Sequence, residues 1–279
     1  MFKNQSACPF NAFAIHRLKS ESLQESTIGL TALDRGSILH EVMFKLWKKW
    51  GNSNELLHLS DLILQTDISD NITSTLYDWS AHHPILRGKI FSQLEQTRLE
   101  KLIWQWIANE KTRPTFAIDS LEVKKNLEVA GIKVAFRIDR IDEVDNKFLI
   151  IDYKSGSVNP TDWTGDRPRD PQLPLYVSAL TPAVNGCAFA QLKTGNIKFF
   201  GLSDSGLIPY EKNHEDWSSL IIKWRDSIDK LAREFVTGRA DVKIFHKSNF
   251  DFQTDLLPLN RWPEEALINK KLSALKDDL

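Results

Sequence analysis

The residues from Phe136 to Gly156, FRIDRIDEVDNKFLIIDYKSG, set Asp139, Asp142, Asp145 and Asp152 within two strongly apolar runs, and Lys154 follows Asp152 by two positions. Side chains alternate between faces along a strand, so Asp152 and Lys154 share one face and Tyr153 points to the other. Asp139 precedes Asp152 by thirteen residues across a turn near Asn146. A hairpin with that turn brings Asp139 and Asp152 to one point. Two converging carboxylates repel unless one is protonated or a cation lies between them. Oxygen donors of this kind suit Mg²⁺ or Mn²⁺. A lysine beside them can orient or deprotonate a water, or stabilise developing negative charge. Acid, acid, lysine and metal together are suited to phosphodiester hydrolysis. The same residues also read as salt bridges at a hairpin end, with Arg137, Arg140, Lys147 and Lys154 pairing with the four acids. The hairpin alone leaves both readings open.

Two other pairs have spacing that places polar groups together. In GSILHE, Gly36 and His40 stand four apart, on one face of a helix. In QLPLY, Gln172 and Tyr176 do the same, with polar tips able to reach phosphate oxygens or bases. Each pair alone is also an ordinary feature of a half-buried helix.

The elements that must position these groups follow from periodicity. Ile38, Leu39, Val42, Met43, Leu46 and Trp50 form one helical face that stops at Gly51. Residues 55–112 read as mostly helical, with breaks near Asp67–Asp70 and Pro84 and one long helix from Ile85 to Asn109. From Leu121 the period becomes that of strands. Ile132, Val134, Phe136 and Ile138 alternate with Lys133, Ala135, Arg137 and Asp139. VDNK is a turn and FLIIDYK the next strand. Asp170 and Pro171 open a helix as N-cap and first residue, CAFAQLKTGNIKFFGLS is a second hairpin turning at Thr194–Gly195, and Trp217 to Phe235 is an amphipathic helix ending before Gly238. Trp104 and Trp106, two apart on a helix, predict that at least one is exposed or at a partner surface. His58, His82, His83, His214 and His246 show no partner spacing and read as structural.

The chain of 279 residues carries 36 Lys and Arg against 37 Asp and Glu, a net charge of −1. That balance neither announces nor excludes nucleic acid, because a local basic patch can bind phosphates while an acidic site offsets the total. Two cysteines, Cys8 and Cys187, make no disulfide framework, so an intracellular, cytoplasmic location is expected. No signal peptide and no membrane-spanning apolar run is visible.

Taken in order, G-x-x-x-H, the Asp strand, D-Y-K and Q-x-x-x-Y resemble the PD-(D/E)XK nuclease superfamily, and more narrowly nuclease domains of the RecB and AddB type. The resemblance runs from ACPFNAFAIHRLK through GSILHE, FRIDRID, IIDYKSG and PQLPLY to LAREFVTGRA. It implies an α/β fold: a three-layer restriction-endonuclease-like core with a mixed central sheet. A single domain over 1–279 would carry a helical insertion at about 52–115 and a C-terminal clasp at about 240–279. His40, Asp139, Asp152 and the main-chain carbonyl of Tyr153 are the implied metal ligands, Lys154 the catalytic lysine, and Gln172 and Tyr176 the DNA-contacting pair.

The implied activity is Mg²⁺- or Mn²⁺-dependent cleavage of DNA, single-stranded or at duplex ends, in recombination or repair, and exonucleolytic rather than endonucleolytic. A helicase domain or subunit is the implied partner. The competing expectation is an idle module that grips DNA ends or scaffolds a helicase–nuclease complex; the intact Asp139, Asp152 and Lys154 favour the enzyme. Many members of this branch hold an iron–sulfur cluster on four cysteines. Cys8 matches the first, but Asp251, Thr254 and Asn260 stand at the other three, so no iron–sulfur cluster is expected. Cys8 then becomes a small hydrophobe, with the clasp held by packing.

Overall fold

The computed structural model describes residues 1–21, 29–180, 184–204, 206–207, 212–213, 216–246, 254–262 and 264. Two short helices, α1 (Phe2–Ala7) and α2 (Pro9–His16), precede α3 (Ala32–Trp50). Then come α4 (Ser53–His58), α5 (Asp61–Trp79), a 3₁₀ turn at Pro84–Arg87, and α6 (Lys89–Glu110). Strands β1 (Ala117–Val129), β2 (Ile132–Val144) and β3 (Lys147–Lys154) follow, then α7 (Gln172–Ala179), β4 (Gly186–Lys193), β5 (Asn196–Ser203), the two-residue β6 (Lys212–Asn213) and α8 (Trp217–Val236). A short helix, Leu257–Asn260, lies further along.

The sheet order is β1-β2-β3-β4-β5-β6. It is mixed: β3 and β4 run parallel, as do β5 and β6, and the other neighbours are antiparallel. On one side Leu149, Ile151, Tyr153, Ala188 and Ala190 pack under α3, α5 and α6. On the other, Ile150, Cys187 and Phe189 pack under α7 and α8. Helices on both faces of a mixed sheet make the three layers expected of a restriction-endonuclease-like fold.

Helix α3 begins where Thr31 and Asp34 form a reciprocal capping box, and it ends at Gly51 with φ +74°. The expected break near Asp67–Asp70 is absent, because α5 runs through it. Asp67 is buried, accepting from Trp50 Nε1 at 3.0 Å and Lys49 Nζ at 2.5 Å. Those contacts from α3 satisfy an acid that would otherwise favour a turn. The long helix expected from Ile85 to Asn109 instead starts at Lys89, after the 3₁₀ turn and Gly88. Trp106 is fully buried and Trp104 packs at the edge of the same core.

The largest departure from the sequence reading concerns Arg140 and Asp142. As hairpin-end salt bridges they would be solvated, yet both side chains are wholly inaccessible. Arg140 donates to Asp142 at 2.5 and 2.7 Å, to Glu110 at 2.7 Å and to the Tyr153 hydroxyl at 3.1 Å. Arg113 joins Glu110 at 2.7 Å and Asp142 at 2.8 Å. The Arg140 guanidinium also stacks over Trp47, 3.9 Å from the ring centroid. Two cations and two anions thus neutralise one another behind the strand ends. Removing one member leaves buried charge uncompensated, at a cost of about 3–5 kcal/mol. Arg140→Ala is therefore expected to lose that much stability in urea unfolding; a loss below about 1 kcal/mol would contradict the role given to this network.

Candidate active site

The turn between β2 and β3 fixes where the acids meet. Asp145 and Asn146 take φ values of +50° and +60°, the left-handed pair of a type I′ hairpin. The register runs from Val144 opposite Lys147 to Arg140 opposite Ile151. One further step sets Asp139 against Asp152. The Tyr153 N–H donates to Asp139 Oδ2 at 2.9 Å, so the main chain of β3 holds the side chain of β2.

Strict alternation fails at Asp139. Ile138 packs on the α7 side and Arg140 on the α3 side, although they are two apart. Across the pairing, Glu122 lies opposite Asp139, between Leu121–Arg140 and Val123–Ile138, with φ +52°. A non-glycine residue in that region marks a local kink. Its result is that Asp139 and Arg140 both turn toward α3. Asp139 thereby reaches His40, whose Nδ1 lies 3.2 Å from Asp139 Oδ2.

Helix α3 comes close enough because of Gly36. A Cβ there would lie 3.3 Å from Ser155 Oγ, just past the end of β3, so Gly36 and His40 do share the face that meets the strands. From the other layer, Gln172 Nε2 donates to Asp152 Oδ1 at 2.7 Å and to the Tyr176 hydroxyl at 2.8 Å. Lys154 Nζ donates to Gln172 Oε1 at 2.6 Å and lies 2.6 Å from Asp152 Oδ2. Tyr176 stacks on Phe136, with centroids 4.9 Å apart. The helix begins one residue later than expected, at Gln172 with Pro171 as its N-cap; Asp170 precedes the cap, and its Oδ1 accepts from Gln172 N at 3.2 Å.

All seven residues singled out from the sequence, His40, Asp139, Asp152, Tyr153, Lys154, Gln172 and Tyr176, line one cleft of about 950 Å³. Glu122 and Arg137 line it too, joined Oε2 to Nε at 2.6 Å. Glu122 was invisible in the sequence because a strand pattern cannot announce a kink. The charged residues of the hairpin divide between the two expectations. Lys154 pairs with Asp152 inside the cleft, while Arg137 turns to Glu122 and Lys147 to Asp204.

Burial pushes the Asp152 carboxyl up to about 6, with the Asp139 charge adding to the rise and Lys154 opposing it. Burial works against the His40 imidazolium, but the hydrogen bond and charge of Asp139, with Asp152, outweigh it and raise its pKa. Burial also raises Glu122, against the pull of Arg137.

Two carboxylates and an imidazole suit a hard divalent cation. Asp152 Oδ2 is buried and accepts no hydrogen bond of ordinary angle, its neighbour being Lys154 Nζ at 2.6 Å. Among the described residues no three His, Cys, Asp or Glu side chains already stand as a ligand group. Asp152 is turned to Lys154 and Gln172, and Asp139 to His40 and the Tyr153 N–H. By donor type the residues would suit such an ion, and holding it would require Asp152 to exchange its lysine contact.

The profile of the PD-(D/E)XK nuclease superfamily matches residues 3–243. The chain belongs to that superfamily. Nucleases of this superfamily usually use Mg²⁺ or Mn²⁺ and act on DNA. No curated protein matches the chain. Among solved structures, the crystal structure of SSO0001 is similar over 82% of this chain and 85% of its own, at 14% identity and a TM-score of 0.30. That score is too low to add to the assignment.

At the expected iron–sulfur position, Cys8 is fully buried and burial raises its thiol pKa. The segment after α8 lies along it: Phe10 N–H donates to the Asp241 carbonyl at 3.2 Å, and Phe245 N–H to that of Ala7 at 2.9 Å. Asn260 is buried, whereas Asp251 and the side chain of Thr254 lie outside the described residues. Cys187 belongs to the core beneath α7 and α8. His83 stacks on Trp79, and His214 lies outside the described residues. No helix among the described residues is long and apolar enough to cross a membrane.

The raised Asp152 pKa gives a signed prediction. Between its ordinary value of 3.8 and about 6 the folded state binds more protons than the unfolded one. Stability from this group therefore falls as pH rises through that window, and the full cost is felt above it. Metal-free Asp152→Asn should have a higher urea midpoint than wild type at pH 8, the difference vanishing toward pH 4. A lower midpoint at pH 8 would show that the buried charge is already compensated.

Proposed function

We propose that the chain is a Mg²⁺- or Mn²⁺-dependent deoxyribonuclease of the RecB and AddB type, acting on DNA in recombination or repair. In this reading it is one nuclease domain, an exonuclease that works inside the cell beside a helicase domain or subunit. The observation that carries the reading is the convergence of Asp139, Asp152, Lys154 and Gln172 on one cleft, from two strands and a helix of the opposite layer. The order of the sequence motifs, from ACPFNAFAIHRLK to LAREFVTGRA, supports the narrower RecB and AddB type.

His40, Asp139, Asp152 and the Tyr153 carbonyl would hold the ion. Bound there, Mg²⁺ or Mn²⁺ polarises a phosphoryl oxygen and makes water acidic enough to attack near neutral pH. The remaining chemistry belongs to the chain. Lys154 Nζ stands at the cleft wall, oriented by Gln172 Oε1 and by the Phe189 ring 4.9 Å from its nitrogen. Once Asp152 turns to a cation, Lys154 is free to meet the charge that builds on the phosphate oxygens. Gln172 and Tyr176 act as neutral donors that position the backbone beside that charge. The Tyr153 hydroxyl, held by Arg140, fixes the peptide between Asp152 and Lys154.

The test is a cleavage assay on end-labelled single-stranded and duplex DNA, with Mn²⁺ and with chelator. Wild type should cut only with metal, leaving a product ladder that shortens from an end. Lys154→Ala should keep DNA binding and lose roughly two to four orders of magnitude in turnover. Metal-independent cleavage, or full turnover in Lys154→Ala, would overturn the assignment.

A further inference from the structure

The two longest strands extend past the sheet they belong to. β3 pairs with β2 only from Arg140 to Val144, so the rest of the β1–β2 hairpin projects as a two-stranded arm. Its tip turns at Ala130 and Gly131, with φ +48° and +81°. On one face Leu127, Val129, Ile132, Val134 and Phe136 pack on Phe2, Ile228 and Leu231. The opposite face is built from the cross-strand pairs Lys124–Arg137, Asn126–Ala135 and Glu128–Lys133. All six of those residues are exposed.

That face is continuous with the catalytic cleft, because Lys124 and Arg137 line both. Arg137 is committed to Glu122. Among the described residues no carboxylate lies within ion-pair distance of Lys124 or Lys133, and Glu128 is the single acid on the face. The kink at Glu122 and Asp139 is what turns this face toward the α3 side, in line with the acids.

Resting on the nuclease reading, we infer that the exposed face of the β1–β2 arm is a phosphate track that carries the substrate strand to and from the cleft. Lys124 and Lys133 are its electrostatic contacts and Asn126 is a neutral one between them. From Asp139 to Lys133 is six residues, about 20 Å at ~3.3 Å per residue. Measured along a duplex axis, that length is the rise of about six base pairs at ~3.4 Å each. A chain with net charge −1 would thus concentrate its cationic contacts along one ribbon beside an acidic centre.

Counterion release provides the readout. Each phosphate that the protein no longer neutralises lowers the slope of log K against log salt by about 0.9 on duplex and about 0.7 on single-stranded DNA. Fluorescence anisotropy on a 20-nucleotide strand and a 20-bp duplex would be run with Mg²⁺, in a Lys154→Ala background that blocks turnover. Lys124→Gln/Lys133→Gln should lower the slope by about 1.4 on the strand, or about 1.8 on the duplex, whichever form the arm tracks. Lys223→Gln/Arg225→Gln, an equal reduction of charge on the exposed side of α8, should leave it unchanged. An unaltered slope in the arm variant, no binding by the arm-intact protein, or an equal fall in both double variants would each overturn the track. The nuclease reading is decided separately, by whether wild type cuts these same DNAs; absence of cleavage would remove that reading, and the track as a substrate path with it.

Discussion

Two carboxylates forced together at adjoining strand ends set the terms for the rest of this structure. Asp139 and Asp152 repel, and burial deepens the conflict, as the raised Asp152 pKa records. The protein offsets that repulsion locally with Lys154, His40 and the Tyr153 N–H. None of these offsets moves the acids apart. The side chains that do so come from both faces of the sheet, His40 from α3 and Gln172, which holds Lys154 and Asp152, from α7.

What keeps the acids in place is a second, hidden charge cluster. Arg140 follows Asp139 and holds the hydroxyl of Tyr153, which follows Asp152. The counter-charges include Glu110 and Arg113, from the end of α6 and the residues just after it. Helix α6 is therefore tied to the strands that carry the two acids through its last turn. Buried ion clusters seldom add net stability over an apolar core. Here the cluster fixes the direction in which two neighbouring acids point.

The sequence made some of this legible and concealed the rest for identifiable reasons. The β2–β3 hairpin, α3 and α8 carry strong periodicity and clear end signals, so their place and the meeting of Asp139 with Asp152 could be read. Spacing placed Gly36 with His40 and Gln172 with Tyr176 on one face each, since four residues make about one turn, whereas the roles expected of them came from the resemblance alone. Arg140 and Asp142 could not be read as buried, because charge alone predicts solvent, and their partners Glu110 and Arg113 lie about thirty residues away, at the end of α6 and just past it. Glu122 was concealed by a kink that shifts the strand alternation. Asp67 looked like a breaker because its partners, Lys49 and Trp50, belong to another helix.

The central claim is that Asp139 and Asp152 form a cation site rather than a pair of acids satisfied by His40 and Lys154 alone. Calorimetric titration of the metal-free protein with Mn²⁺ tests it directly, beside Asp152→Asn and a surface control such as Lys223→Gln. The account predicts saturable binding in wild type and in the control, with affinity reduced at least tenfold in Asp152→Asn. Equal Mn²⁺ affinity in all three proteins, or no binding in any, would contradict it.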